Sequence, residues 1–364
     1  MEVLTVDLDD ADGRDRYDRL FSACPHAFVQ QSTDWAEVIG DLGPDRPVFL
    51  IASEAGRDLG GLPLYLFEGP AGPILTSVPQ AGPLGGVFCV GDADRDRVYA
   101  ALLAEAKRIA ATRRCLGLTI ITNPIGDDID LYRRHLEPEV LFENFTQIVP
   151  IDEAVLGGAL IIANNKKGNP AATIRKAETS GLTARLCESD TEFAAWCDVH
   201  ARRAAEIGVA PIARPLLGGI WTKLGPRSCA FLQLAMSDEE IASGILFILH
   251  RDICDVFAVS MDSRFAEAAP NYLAVKAGLI EMAARGVKFM NWQSSPSRRD
   301  GVYKFKRQWA SVERPYYFAT KLYRDSAEIL ALGEDALRRG YENHFVVPFG
   351  AFSQGNLAGP FRKA

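Results

Sequence analysis

The chain has 364 residues, of which 48% are apolar and 24% charged, and a formal net charge of −7, the profile of a packed globular protein long enough for two domains. The acidic balance argues against a broadly basic nucleic-acid binder though not against a local basic patch, and no apolar run nears the roughly 18–20 residues of a membrane span. Seven Cys without a C-x-x-C pair and five His without metal-ligand spacing point to neither a disulfide frame nor a metal centre. With an acidic N-terminus in place of a signal peptide, the expected location is the cytoplasm.

In chain order, residues 3–7 alternate as a short strand and 12–22 carry a helical pattern. Ser32-Thr33-Asp34 caps a second helix over 35–42, stopped by Gly43. Strands follow over 46–53 and 59–67, joined by a turn at 54–58. A Gly/Pro-rich stretch fills 69–86 and is assigned no regular element. Residues 92–112 form a long amphipathic helix, 116–122 an apolar run ending at Asn123-Pro124, 127–135 a helix and 141–151 a strand.

The polar segment 151–170, closing on Asn164-Asn165-Lys166-Lys167-Gly168-Asn169-Pro170, is the expected junction between domains at 1–150 and 151–364. Beyond it come a strand at 183–187, a helix capped by Asp190-Thr191 with Phe193, Trp196, Cys197, His200 and Ala204 at helical spacing, and a helix at 215–224. Strands at 229–236, 241–250 and 253–261 make a meander, followed by helix 270–286, strand 287–292, helix 301–309 and strand 313–323. Ser326 opens a last helix running to Arg339 with Gly340 as its stop, and residues 350–364 form a Gly/Pro-containing tail. This order repeats that of the first half, so the meander is expected to match the strands at 46–67.

The segment 269–309 is the most specific. It reads Pro270-Asn271-Tyr272, a helical pattern, Arg285-Gly286, an apolar strand to Trp292, then Gln293-Ser294-Ser295, a basic loop, and Gly301-Val302-Tyr303-Lys304-Phe305-Lys306-Arg307-Gln308-Trp309. It resembles the second half of the Fem-type aminoacyltransferases, which carry two GNAT-like domains and form amide bonds. The expected fold class is therefore α/β (α+β), with tandem GNAT-like domains, mixed central sheets and flanking helices.

The Fem-type family has a Phe-Lys pair followed by an aromatic residue three positions on, which Phe305, Lys306 and Trp309 match. The resemblance implies that Lys306 points at the reacting carbonyl and stabilises the charge developing on its oxygen. The plainer reading places Phe305 and Trp309 in the core and leaves Lys306 solvated. Many relatives carry Asp-Phe-Gly-Gly at the preceding strand end, where this chain has Asn291-Trp292-Gln293-Ser294. Asn291, the third candidate catalytic position, forms hydrogen bonds but is no base, and an acceptor amine arriving neutral needs none.

Ile174-Arg175-Lys176-Ala177 matches the segment that opens the second domain of the family, with Arg175 and Lys176 either on donor or acceptor phosphates or simply solvated. His200 and Arg203 are expected beside the acceptor, Arg203 clamping an anionic group. Trp292, Gln293, Tyr303 and Tyr272 complete the expected substrate-binding set. An acyl-CoA-dependent GNAT enzyme has a Gly-rich phosphate cradle after its fourth strand. Here residues 264–270 read Arg-Phe-Ala-Glu-Ala-Ala-Pro, without Gly and with Glu267 opposing a pyrophosphate.

Arg298, Arg299, Lys304, Lys306 and Arg307 put five cations in ten positions, which suits a tRNA acceptor end. Arg298, Arg299 and Arg307 join Arg175 and Lys176 as the expected donor-binding set. The family's long coiled-coil arm is absent from the second half. The expected reaction transfers an aminoacyl group from aminoacyl-tRNA, as co-substrate, to an amine on a small or peptide-like acceptor, with no bound cofactor. The alternatives are an acyl-CoA-dependent N-acyltransferase and a non-catalytic protein that binds a ligand or partner.

Overall fold

The structure is a computed structural model, described here for residues 1–79, 84–151, 170–342, 344 and 346. Residues 80–83, the junction at 152–169 and the tail at 350–364 lie outside the described residues. The chain divides into two compact units, Met1–Phe145 with Pro315–Ala364, and Thr146–Arg314.

The first unit is a mixed sheet with helices packed on it. Strands β1 (Glu2–Val6), β2 (Arg46–Glu54), β3 (Arg57–Gly69) and β4 (Gly72–Ser77) are antiparallel neighbours, and β6 (Gly117–Ile121) lies parallel to β4. A short β5 (Phe88–Cys89) pairs with β3. Ala55 and Gly56, at φ +50° and +79°, make the tight β2–β3 connection, since two left-handed residues in succession match the twist of a hairpin. The helices are α1 (Ala11–Ser22), α2 (Thr33–Gly40), α3 (Arg95–Thr112) and α4 (Ile129–His135). Asp10, Ser32 and Asp94 cap the first three by accepting backbone N–H groups. One face of α3, with Val98, Leu102, Leu103 and Ala106, is fully buried.

The second unit repeats the strand order. Strands β8 (Thr183–Leu186), β9 (Ala230–Ser237), β10 (Glu240–His250) and β11 (Ile253–Met261) are antiparallel neighbours, and β12 (Phe289–Ser294) runs parallel to β11. Its helices are α5 (Ala171–Thr179), α6 (Asp190–Glu206), α7 (Arg214–Gly219), α8 (Pro270–Ala284) and α9 (Gly301–Arg307). Gly244 of β10 lets α6 approach the sheet, because a Cβ there would stand 2.3 Å from the Trp196 ring.

Each unit completes its sheet with a strand drawn from the other half of the sequence. Strand β7 (Val140–Pro150) ends beside β12, with Met290 opposite Val149 and Asn291 opposite Ile148. Strand β13 (Val312–Leu322) lies antiparallel to β6, with Ala319 opposite Ile120.

Four features differ from the sequence reading. The stretch at 69–86 contains β4, with Ile74 and Leu75 buried despite Pro73 and the flanking glycines. The helix expected at 215–224 is α7 followed by a wider π turn at Ile220–Leu224. The last helix is two, α10 (Ser326–Ala331) and α11 (Glu334–Gly340), parted by Gly333 at φ +78°.

The fourth concerns the domain boundary: the chain beyond Arg314 belongs to the first unit, not the second. Besides β13, Tyr341 holds it there, with its hydroxyl donating to Gly72 O at 2.8 Å and its ring filling the space above Gly69. His344 stacks on Phe67 and sits 2.6 Å from the Asp45 carboxylate, both side chains buried.

A chain ending at Arg314 should therefore strip β6 of its antiparallel neighbour and leave the first unit without cooperative structure. Hydrogen exchange should show loss of protection over β2–β6 while β9–β11 stay protected. Protection unchanged over β6 would mean that β13 is dispensable.

Candidate functional site

The site grows out of the end of β12. Asn291 is fully buried between two strands. Its Nδ2 donates to Asp255 of β11 at 2.6 Å, and its Oδ1 accepts from the Thr146 hydroxyl of β7 at 2.5 Å. The same oxygen accepts the backbone N–H of Gln293 at 3.2 Å. Two residues on, regular pairing fails: the register slips between Asn291 and Ser294, and Gln293 takes φ +62°, the left-handed region that costs a residue with a side chain about 1 kcal/mol or more. This kink turns two successive carbonyls, Gln293 O and Ser294 O, onto the Lys306 ammonium at 3.0 and 2.7 Å.

Lys306 is carried on α9, whose N-terminus is capped by Asp300 accepting from Tyr303 N at 2.7 Å. Phe305 and Trp309 anchor the helix, with Phe305 edge-on to Tyr272 and Trp292 at 5.1 and 5.7 Å and Trp309 only 1% exposed. Gln147 ties the segment to β7, donating to Ser311 Oγ at 3.1 Å, and Ser311 in turn donates to Lys306 O at 3.0 Å. Lys306 is 7% exposed. Burial pushes its ammonium down to about 8, against a smaller opposing pull from Asp300. Lys306 is therefore neither solvated nor held by a carboxylate contact. Two of its three donors are engaged by main-chain carbonyls, Gln293 O and Ser294 O.

The other sequence candidates divide. Trp292 is core, 3% exposed. The Tyr272 hydroxyl donates to Gln308 Oε1 at 2.9 Å, and the Tyr303 hydroxyl to Glu313 at 3.1 Å. Glu313 also holds Arg298 in a two-pronged pair at 2.6 and 2.9 Å, while Arg299, Arg307, Arg175 and Lys176 stand exposed. His200 belongs to a separate set of contacts: its Nε2 accepts Ile212 N at 3.0 Å, so Nδ1 carries the proton and donates to Ser260 Oγ at 2.7 Å. Desolvation lowers its pKa, so both ring nitrogens of a neutral imidazole serve structure. Arg203 pairs with Glu206 one helical turn on, at 2.9 Å. Sequence reasoning missed Asp255, Thr146 and Gln147. The signal was there: a charged residue inside the apolar strand 253–261, and the Thr146-Gln147 pair just before the apolar end of the strand 141–151.

The segment between β11 and α8 stands where an acyl-CoA-dependent GNAT enzyme has its phosphate cradle. Residues Ser263–Ala268 form a 3-10 turn capped by Asp262, and Ala269 takes the left-handed conformation at φ +57° before Pro270. Backbone N–H groups of Arg264, Phe265, Ala269 and Tyr272 all have partners within the segment. Asp262, held at about 2 chiefly by the Arg264 guanidinium, and Glu240 both pin Arg264.

The first unit holds a cavity of about 380 Å³ lined in part by Val87, Phe88, Arg95, Tyr99 and Asp128. Burial pushes the Asp128 carboxyl up to about 6, although the Tyr99 hydroxyl donates to it. Among the described residues no group of three or more His, Cys, Asp and Glu side chains is placed to hold a metal ion, and no helix is long and apolar enough to cross a membrane.

Two stability profiles follow. A lysine with a lowered folded pKa destabilises while cationic, so wild-type stability should rise between pH 8 and 10.5 as the folded state sheds the proton first. The rise is at most about 3 kcal/mol, and Lys306→Met should lack it in denaturant titrations across that range. A parallel wild-type and variant profile would mean a hydrated ammonium. For Asp128 the carboxyl holds its proton longer when folded, so its contribution falls as pH rises from 3.8 to about 6. Asp128→Asn should gain in Tm over wild type across that interval, and a constant difference would contradict the burial effect.

Residues 165–331 match the family described as the acetyltransferase (GNAT) domain. No curated protein matches the chain. Among solved structures, FemX is similar with a TM-score of 0.72 at 14% identity, over 92% of this chain and all of that one. L-PGS from Bacillus licheniformis gives a TM-score of 0.58 at 13% identity, over 90% of this chain and 96% of that one. A tandem GNAT protein from the clavulanic acid biosynthesis pathway gives 0.53 at 15% identity, over 89% and 99%. At such identities the likeness is one of fold. Residues 165–331 thus resemble a GNAT domain, and the chain as a whole has a fold like that of FemX, with two GNAT-like units.

Proposed function

We propose that this protein transfers an aminoacyl group from aminoacyl-tRNA to an amine on a small or peptide-like acceptor. The observation that carries this reading is the closed segment between β11 and α8. A CoA pyrophosphate needs free N–H groups and a helix N-terminus at that place. Here those of Arg264, Phe265, Ala269 and Tyr272 are engaged, and Arg264 is neutralised by Asp262 and Glu240. The exposed Arg299, Arg307, Arg175 and Lys176 offer cations for a polyanionic donor instead. The Fem-type resemblance of Phe305, Lys306 and Trp309 points the same way.

In this reaction the neutral acceptor amine attacks the aminoacyl ester carbonyl. The C–N bond forms, the ester C–O bond breaks, and the amine proton ends on the released ribose hydroxyl. Lys306 supplies a fixed positive charge to the oxyanion of the tetrahedral intermediate. Positioning of the two substrates supplies much of the remaining rate. The match to the acetyltransferase domain description favours the second reading, an acyl-CoA donor.

Transfer should be seen with a panel of charged tRNAs, and calorimetry with CoA should give no measurable binding. Lys306→Met should lower kcat by roughly 10²–10³-fold. The wild-type rate should fall above about pH 8, where Lys306 loses its charge. Micromolar CoA binding with acetyl transfer and no use of charged tRNA would replace this reading by the second.

A further inference from the structure

We infer that Asp255, Asn291 and Thr146 act together as positioning residues that set the kink of β12 and thereby place the Lys306 ammonium. The three stand on adjacent strands β11, β12 and β7. All three are at most 1% exposed. A row of three polar side chains across the middle of an apolar sheet is costly unless each is satisfied. Here Asn291 satisfies both neighbours, donating to Asp255 at 2.6 Å and accepting from Thr146 at 2.5 Å.

The arrangement does more than satisfy itself. With Nδ2 committed to Asp255, the amide of Asn291 has one orientation, which aims Oδ1 at the Gln293 N–H. That bond takes the place of the ladder bond lost where the register slips, and it holds Gln293 at φ +62°. The left-handed turn presents Gln293 O and Ser294 O together to Lys306. An extended Gln293 would send successive carbonyls to opposite sides. Asp255 therefore acts on Lys306 through three bonded steps. None of the three residues is a catalytic residue, because all are sealed from solvent.

This role rests on the proposed function only where activity is the readout, so the test has two arms. In the first, the midpoint of Lys306 is measured from its Cε resonance in [¹³C]lysine-labelled full-length protein, assigned with Lys306→Arg. In wild type it should lie near 8. Thr146→Val and Asn291→Ala should move it towards the ordinary lysine value of 10.5, as the two carbonyls swing away and the ammonium gains water. Asp255→Asn, whose amide oxygen still accepts from Asn291, should move it little. Asn291→Asp sets two carboxylates side by side and should disturb it, and the exchanged pair Asp255→Asn with Asn291→Asp should restore it. Asp300, whose charge acts on Lys306, is untouched in every variant.

In the second arm, kcat of transfer should fall on the order of 10²-fold in Asn291→Ala, as expected for a misplacement of about 1 Å. KM should change little, and the exchanged pair should recover most of the rate. If the midpoint stays near 8 in folded Thr146→Val and Asn291→Ala, or the exchanged pair fares no better than Asn291→Asp alone, the inference is overturned. If the midpoints move as stated but wild type transfers no aminoacyl group, the positioning role stands and the proposed reaction fails.

Discussion

One constraint organises the second unit: a lysine ammonium sits inside the protein with main-chain carbonyls, not a carboxylate, in contact with it. Removing a charge from water costs several kcal/mol after relaxation, and two carbonyl dipoles at 2.7 and 3.0 Å offset only part of that. The lowered Lys306 pKa has the same cause, its burial. For two carbonyls from consecutive residues to converge, the strand carrying them must leave its regular path. That requirement accounts for the slipped register, for the left-handed Gln293 and for the buried polar row beneath it. The aromatic packing of Phe305, Tyr272 and Trp309 then fixes α9 so that the stem of Lys306 has one way to lie.

The two units share a strand order but differ in the segment after the fourth strand. In the first, the helix after β4 is α3, whose N-terminus is capped by Asp94 and carries Asp96 in its first turn. In the second, the helix after β11 begins at Pro270 behind a closed 3-10 turn. There, Arg264 N, Phe265 N, Ala269 N and Tyr272 N are all bonded within the segment, which is the feature the proposed donor rests on.

Much of this was legible in the sequence wherever local pattern decides. The meander at 229–261, the long helix ending near Thr112 and the Phe305–Trp309 anchor follow from periodicity and caps, which are short-range signals. The β4 strand was not legible, because Pro73 and two glycines mask a buried Ile74-Leu75 pair that only pairing with β3 makes regular. The exchange of β7 and β13 between units rests on pairing between residues far apart in sequence, for which no local signal exists. At the site, Lys306 was singled out by the resemblance of Phe305, Lys306 and Trp309 to the Fem-type pattern, while the plain helical spacing left it solvated. Its surroundings were not legible: Asp255 sits in a different strand, and its meaning appears only when β11 and β12 lie side by side.

The neutral Asn291 takes on a different sense in this setting. A carboxylate directly at the strand end would face Asp255, and one of the two would have to hold a proton or leave. It would also bring a negative charge to the residue whose bond to Gln293 N shapes the turn beneath Lys306. With Asn there, the carboxylate stands one strand further off and the shaping is done by an amide without charge. Carbonyl oxygens orient an ammonium but do not cancel it. A lysine held this way keeps its full positive charge for whatever negative oxygen arrives, whereas a direct carboxylate partner would spend that charge before substrate binds. The cost is a lysine that ionises near 8 and so carries its charge over a narrower pH range than an exposed one. In the proposed reaction, the same burial that would strengthen its field on a reacting oxygen sets that limit, so neither property can be altered without the other.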